Sequence, residues 1–234
     1  MPCLSNIDVS RIRVHPSPVM HFARSTLLAL ALQSALIAPS LAQSTPPRPV
    51  AARPLMDRDK EIALALSACP VGIAPKAAVY VLGQSGYVKV RDSQNGFTAI
   101  VQHSLLTSQE PQCMDAEGTR TILNRILMVA SLRAQGKSPD AIKQAVAAAL
   151  SRGVLQPPVR TGIDYMLSTE NLVPDDNGVV GHFPPHVMFY APYLKNADIG
   201  SEGQAAGGPA FVAGEGSPFA LVIVPVGAHS GAAH

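Results

Sequence analysis

The stretch AAVYVLGQSGYVKVRDSQNGFTAIVQ, residues 77–102, contains three short apolar runs separated by turn residues. The runs cover 77–82, 86–91 and 97–102, and in the second run valines alternate with tyrosine, lysine and arginine. Such alternation is typical of a strand with one buried and one solvated face. Asn95-Gly96 stands before the third run, and both residue types tolerate the positive φ of a type I′ hairpin turn. The stretch therefore predicts a three-stranded antiparallel meander.

Helical patterns flank the predicted meander on both sides. A helix capped by Asp57 is expected to run through about Ala68, where the following Cys-Pro pair stops it. After the meander, a broad apolar stripe at three- and four-residue spacing predicts a second helix that ends at Gly136. Ser138-Pro139 suits the cap and the first position of a third helix, which ends near Gly153. The last two helices predict a helical hairpin with a short loop.

The last third of the chain returns to strand patterns. The runs IDYMLS (163–168), HVMFYA (186–191) and FALVIV (219–224) predict three strands, and the last two are apolar enough to be covered on both faces. Residues 200–218 contain six glycines and predict a surface loop. Together these patterns predict a single α+β domain over residues 55–234, in which antiparallel β strands pack against the helical hairpin.

Residues 1–42 have the features of an export signal. Arg24 precedes an apolar segment from Leu27 to Ala38, and a small-x-small sequence ends at Ala42. The apolar segment is shorter than the roughly 20 residues that span a bilayer, so cleavage near Ala42 is expected rather than a retained anchor. No membrane span is then expected in the mature chain, and the predicted location is periplasmic or secreted.

Two further expectations concern the same end of the chain. Either Met1 or Met20 is compatible with this signal as the start of translation. Residues 43–54, QSTPPRPVAARP, have no periodicity and four prolines, and they predict a flexible tether ahead of the domain.

The charge balance argues against polyanionic partners. The chain has a formal net charge of +2 from 18 basic and 16 acidic residues. Three of the basic residues and one of the acidic residues belong to residues 1–42, which leaves fifteen of each sign. A neutral chain without a basic run lacks the electrostatic patch with which proteins bind nucleic acid or anionic lipid. Neither partner is expected.

The cysteines agree with export. Cys3 belongs to the predicted signal, which leaves Cys69 and Cys113 in the mature chain. An even count in an oxidising compartment favours a disulfide, with two buried thiols as the alternative. Closing a loop of about 43 residues would stabilise the fold by about 4 kcal/mol.

No metal and no cofactor is expected. The sequence contains no HExxH, GxSxG, P-loop, GxGxxG or CxxC motif. His182 and His186 have the spacing of two ligands on one helix face, but Pro184 and Pro185 between them exclude a helix. In an extended chain four residues span about 12 Å, whereas two zinc ligands lie about 2.0–2.1 Å from one ion. The two rings share an ion only if the chain folds back at the prolines, for which a cis Pro185 is one route.

The predicted strand 186–191 divides its side chains between two faces. One face carries Val187, Phe189 and Ala191, which are expected in the core. The other face carries His186, Met188 and Tyr190, which offer an imidazole, a thioether and a phenol in a row. Such a wall with a few polar groups is typical of a ligand pocket. The alternative is a core histidine and tyrosine with local partners. The candidate ligand-binding residues are His182, His186, Met188, Tyr190, Tyr193 and Asn196.

Three functions remain open at this point. The leading hypothesis is a non-catalytic module that binds a small molecule or a cell-envelope partner. The alternative is a hydrolase-type enzyme, with or without a metal, in which His186 acts as base, Asp198 orients it and His182 helps to bind substrate. A purely structural envelope protein is the third.

Five strings belong together: VYVLGQSGYVKV, NGFTAIV, DAEGTRTIL, YMLSTEN and HFPPHVMFYAPYLKNADIG. They resemble a family of uncharacterised secreted bacterial proteins. The resemblance covers roughly residues 60–226, and PPHVMFYAPY with NADIG is its most specific part. It implies export and a common domain, and it implies no reaction and no catalytic residue.

Overall fold

The computed structural model describes residues 55–105, 107–175, 177–202 and 209–226. The predicted export signal and tether, residues 1–54, lie outside the described residues, as do residues 203–208 of the predicted glycine-rich loop. The helices are α1 (Arg58–Ser67), α2 (Ala116–Arg120), α3 (Ile122–Ala134) and α4 (Pro139–Ser151). The strands are β1 (Ala78–Gly83), β2 (Gly86–Arg91), β3 (Thr98–Gln102), β4 (Glu110–Met114), β5 (Ile163–Met166), β6 (Leu172–Pro174), β7 (Val180–His182), β8 (His186–Tyr190), β9 (Phe211–Ala213) and β10 (Leu221–Pro225).

Eight of these strands form one sheet in the order β2-β1-β3-β4-β5-β8-β10-β9, and β6 and β7 form a separate hairpin. Neighbouring strands run antiparallel except β1 and β3, which are parallel. Helices and a mostly antiparallel sheet within one domain confirm the predicted α+β class.

Helices cover both faces of the sheet. Ala99 and Cys113 belong to a core cluster beneath α1, which packs against β1, β3 and β4. Their neighbours Ile100 and Met114 pack instead with Ile122 of α3. Consecutive residues of a strand point to opposite faces, so the sheet has an α1 face and an α3 face. The predicted helical hairpin is confirmed, since α4 contacts α3.

The helix ends follow from local capping. The Asp57 carboxylate accepts the N–H groups of Asp59 and Lys60, each at 3.1 Å, at the start of α1. The Ser138 hydroxyl oxygen accepts the N–H of Ala141 at 3.2 Å at the start of α4, and Gly136 follows α3 with φ of 72°. Within the described ranges, no helix combines the length and the apolar character needed to cross a membrane.

The predicted meander is wrong in its strand order. β1 and β2 form an antiparallel hairpin, but β3 pairs with β1, in parallel, rather than with β2. The connection between β2 and β3 passes the start of β1, where Gln94 N–H donates to the Lys76 carbonyl at 2.8 Å. The Asn95 amide donates to the Ile73 carbonyl at 3.0 Å. Asn95 therefore belongs to a crossover connection that is attached to the turn before β1. Of the Asn95-Gly96 pair, only Gly96 has the positive φ that a type I′ turn requires at both positions.

The pattern also missed strand β4, EPQCM, all of whose residues are buried. Proline within a run argues against a central strand, because proline has no N–H to donate. Gln109 N–H donates to Leu172 and Cys113 N–H donates to Asp164, both on the β5 side of the strand. Because N–H groups alternate between the two edges of a strand, the N–H that Pro111 lacks would point toward the β5 side as well. On that side, the residues of β4 that pair with β5 are Cys113 and Met114. Proline is tolerated there because β5 does not reach it.

The prediction that the strands in residues 186–191 and 219–224 are buried on both faces is wrong. β10 begins at Leu221 and all of its residues are only half-buried. On β8, Val187 and Phe189 are half-buried, whereas His186, Met188 and Tyr190 are buried. The expected core face is therefore the more exposed one, because α1 packs mainly over β1, β3 and β4.

Cys69 and Cys113 form the predicted disulfide, with Cα atoms 5.1 Å apart. Cys69 follows α1 and Cys113 lies in β4, so the bond attaches α1 to the middle of the sheet. Both cysteines belong to the core beneath α1.

Candidate functional site

A cleft opens on the α3 face of the sheet, and we call it the sheet cleft. Its volume is about 160 Å³, which corresponds to about five water molecules at ~30 Å³ each. Its apolar lining includes Met166, Met188, Leu221 and Ile223. Met188 lies directly opposite Ile223 across the β8–β10 pair. The cleft is therefore assembled by strand pairing rather than by one continuous segment.

One end of the sheet cleft is polar. Gln102, Glu110 and Gln112 line it from β3 and β4. The Gln102 amide donates to Glu110 Oε2 at 3.1 Å, and the Gln112 amide donates to Gln102 Oε1 at 3.3 Å. Glu110 Oε1 accepts the Ser104 N–H at 3.0 Å and also the Ser104 hydroxyl. Both oxygens of this buried carboxylate thus have donors from the protein itself.

His186 lies in the wall of the sheet cleft at the start of β8, and it is 2 % exposed. Its Nδ1 lies 2.8 Å from the Pro184 carbonyl, which can only accept, so Nδ1 carries the proton. The Phe183 ring meets the imidazole edge-on with centroids 4.8 Å apart. Burial lowers the pKa of His186, against the opposing effect of the Pro184 hydrogen bond. The ring is therefore neutral near pH 7, and Nε2 is an acceptor with no hydrogen-bond partner among the described residues.

Arg125 lies in the opposite wall, one turn along α3 from Ile122, and both residues line the cleft. Its guanidinium carbon is 5.3 Å from the centre of the Phe219 ring, a cation–π contact. Within the described chain, no hydrogen bond or ion pair engages its N–H groups. Burial lowers the pKa of Arg125, and the charge of Arg133 adds to the effect. The side chain still remains a cation at neutral pH, as arginine does in proteins.

The structure places three of the predicted ligand-binding residues on one face of β8. His186 and Met188 line the sheet cleft. Tyr190, next on that face, lies in the core beneath α3, and its hydroxyl donates to the Ile163 carbonyl at 3.1 Å. A Cβ at Gly118 would clash with this hydroxyl oxygen, so the close approach of Tyr190 favours a glycine there.

The other predicted site residues do not line this cleft. His182 is exposed in β7, and its Nε2 lies 2.7 Å from the Thr169 carbonyl. Tyr193 is 60 % exposed, with φ of 67°. The Asn196 side chain accepts the Val212 N–H at 2.7 Å and so attaches its own turn to β9.

Asp198, predicted to orient His186, has a local role in the structure. Its carboxylate accepts the Lys195 N–H at 2.8 Å at the start of the turn Asn196–Ile199. No hydrogen bond joins it to His186 in the part of the chain that the structure describes.

The rings of His182 and His186 contact different backbone carbonyls, those of Thr169 and Pro184. No group of three or more potential metal ligands occurs among the described residues.

Sequence reasoning did not single out Asp164 or Arg125. Asp164 is fully buried, and its Oδ1 accepts the Cys113 N–H at 3.1 Å. Its Oδ2 has no hydrogen-bond partner among the described residues. Burial raises the pKa of Asp164 well above its usual range, and the nearby charge of Asp115 raises it further. The signal was available in IDYM, where one aspartate stands within an apolar strand.

Comparisons with known proteins add no assignment, since no protein-family model, curated protein or solved structure matches this chain.

Proposed function

We propose that this is an exported protein that binds a small organic molecule in the sheet cleft without converting it. The observation that carries the proposal is the composition of the cleft, an apolar floor with a neutral imidazole on one side and a guanidinium on the other. Concave apolar sites with a few polar groups at fixed positions are typical of ligand pockets. His186 Nε2 offers an acceptor to a ligand, and Met188 contacts its apolar part.

The hydrolase alternative receives no comparable support. The catalytic pair that the sequence suggested is absent, because Asp198 caps its own turn instead of orienting His186. The Pro184 carbonyl already orients the ring through Nδ1. A neutral acceptor in a cleft of about 160 Å³ suits retention of a small molecule.

Ligand binding is tested with small organic probes. A set of alcohols, amides and carboxylates of roughly five to eight non-hydrogen atoms matches the cleft volume. Titrated into ¹⁵N-labelled protein, cleft binders are expected to shift the amide resonances of Met188 and Ile223. Ala213→Phe, which places a ring at the cleft lining, should abolish those shifts.

Val224→Phe is the matched control, because Val224 lies on β10, the strand that pairs with the β9 strand of Ala213, but outside the cleft lining. Its probe binding should equal that of the wild type. Shifts that persist in Ala213→Phe, or a probe set that leaves the cleft amides unmoved, would refute the proposed function.

Export is tested separately with the full chain expressed in a bacterial host. The apolar segment and the cleavage sequence that ends at Ala42 lead us to expect periplasmic protein that begins at Gln43 on N-terminal sequencing. Leu30→Asp interrupts the apolar segment and should keep the uncleaved chain in the cytoplasm. Cytoplasmic wild-type protein of full length would contradict export.

A further inference from the structure

The sheet cleft contains a cation for which the described chain supplies no anion. Arg125 is half-buried and contacts Phe219, but it makes no ion pair with any described residue. An arginine that packs against an aromatic ring is restrained in position while it keeps several N–H donors. Planar donors of this kind match a carboxylate in a bidentate pair.

Glu110, the carboxylate among the described residues that line the cleft, already has hydrogen-bond partners. Its two oxygens accept hydrogen bonds from Ser104 and Gln102, and no ion pair joins it to Arg125. Arg133, the other arginine whose charge affects Arg125, donates to the His103 carbonyl at 2.7 Å. The wall formed by α3 is therefore electropositive and without a counter-ion from the described chain.

The surroundings of Arg125 define the rest of a ligand. The Phe219 ring and the side chains of Leu221 and Ile223 form an apolar surface beside the guanidinium. A volume of about 160 Å³ admits only a short apolar body. The buried carboxyl group of Glu110 also lines the cleft and disfavours a second negative charge, so a ligand with one anionic group fits best.

We infer that the ligand of the sheet cleft is a small organic monoanion, a carboxylate with a short aliphatic body, whose carboxylate pairs with Arg125. The inference rests on the proposed function, because it names the chemical class of the molecule that the cleft binds. It also assigns Arg125 as the residue that determines specificity.

The test compares three probes that share one body and differ in charge. Pentanoate, pentanamide and pentylammonium are titrated into ¹⁵N-labelled protein, and dissociation constants are obtained from the shifts of the cleft amides. We expect pentanoate to bind roughly tenfold more tightly than pentanamide, because charge-assisted bidentate hydrogen bonds are stronger than neutral ones. Pentylammonium should bind more weakly than pentanamide, since Arg125 repels it. Added salt should weaken pentanoate alone.

Two variants assign the preference to Arg125. Arg125→Gln should bring pentanoate and pentanamide to within about twofold of each other, and Arg125→Lys should keep part of the preference because it retains the charge without the planar donors. Lys143→Gln is the control: it removes one positive charge from an exposed position on α4 and should leave the wild-type ratio unchanged.

The outcomes separate this inference from the proposed function. Equal binding of pentanoate and pentanamide at the cleft would refute the monoanion class and leave the cleft as a binding site. A pentanoate preference that survives in Arg125→Gln would refute the role of Arg125. Failure of every probe to move the cleft amides would refute both proposals.

Discussion

Asp164 is a fully buried carboxyl group on a strand whose other side chains are mostly apolar. A buried carboxylate with one unpartnered oxygen is costly, and burial therefore favours the protonated form of the group by raising its pKa. Met114 and Met188 lie directly opposite it on the two neighbouring strands. The residue therefore makes stability depend on pH from inside the core.

The sign of that dependence follows from the raised pKa. The unfolded chain releases the proton of Asp164 near pH 3.9, whereas the folded chain retains it to higher pH. The free energy of unfolding should therefore fall as pH rises from about 4 toward the folded-state pKa, by up to about 1.4 kcal/mol per pH unit. Asp164→Asn, which cannot ionise, should lack this loss, as measured by urea unfolding between pH 4 and 8.

Asp92→Asn serves as the control, because Asp92 is exposed and forms a surface ion pair with Lys89. Its difference from the wild type should stay nearly constant with pH. A constant difference for Asp164→Asn as well would show that Asp164 is ionised in the folded protein.

At the residue scale, His186 shows how far a sequence pattern reaches. The alternation in HVMFYA placed His186, Met188 and Tyr190 on one face, and the structure has them on one face. The pattern could not show which face is buried, because that depends on where α1 ends relative to β8. Arg125 stands between the apolar residues of an ordinary amphipathic helix. Whether it has an anionic partner depends on strands that are distant in the sequence.

At the element scale, the connection between β2 and β3 decides the strand order. Asn95 Nδ2 donates to the Ile73 carbonyl at 3.0 Å, and its Oδ1 accepts the Phe97 N–H at 3.1 Å. These bonds attach the crossing connection to the turn that precedes β1. The same Asn-Gly pair that suits a hairpin here serves a crossover, and neighbouring residues alone do not distinguish the two.

Asn95→Ala removes these two bonds, together with the hydrogen bond that Asn95 Oδ1 accepts from the Ser93 hydroxyl, from a half-buried position. We expect a loss of about 1–2 kcal/mol in the free energy of unfolding, because the Ile73 carbonyl loses its donor. Urea unfolding measures the loss, and hydrogen exchange at Phe97 N–H should accelerate. Gln94→Ala is the matched control in the same connection, since Gln94 bonds through its backbone N–H and its side chain is exposed. Equal stabilities for the two variants would contradict the role of Asn95.

At the scale of the whole molecule, the disulfide joins the α1 layer to the sheet. Cys69 and Cys113 are separated by 44 positions, and closing a loop of that length reduces the entropy of the unfolded chain. Replacing both cysteines by alanine should lower the free energy of unfolding by about 4 kcal/mol, measured in urea at pH 7.

The burial of the two cysteines sharpens this prediction. Cys113 is 0 % exposed and Cys69 is 7 % exposed, so a reductant cannot reach the bond while the domain is folded. Dithiothreitol should therefore reduce the wild type only at urea concentrations that unfold it, as followed by alkylation and mass measurement. Rapid reduction under native conditions would contradict the buried position of the bond.

The sequence by itself determined α1, the hairpin of α3 and α4 and the alternation of individual strands, and it favoured the cysteine pairing, but it did not separate α2 from α3. The helices and the alternation depend on residues a few positions apart. The cysteine pairing follows from the fact that two cysteines remain after the predicted export signal, so no knowledge of the fold is needed. Only the tertiary structure decided the strand order, the buried face of β8 and the assembly of the sheet cleft from β3, β4, β5, β6, β8, β9, β10 and α3. Those outcomes depend on contacts between segments far apart in the chain, where one local pattern is compatible with several pairings and burial selects among them.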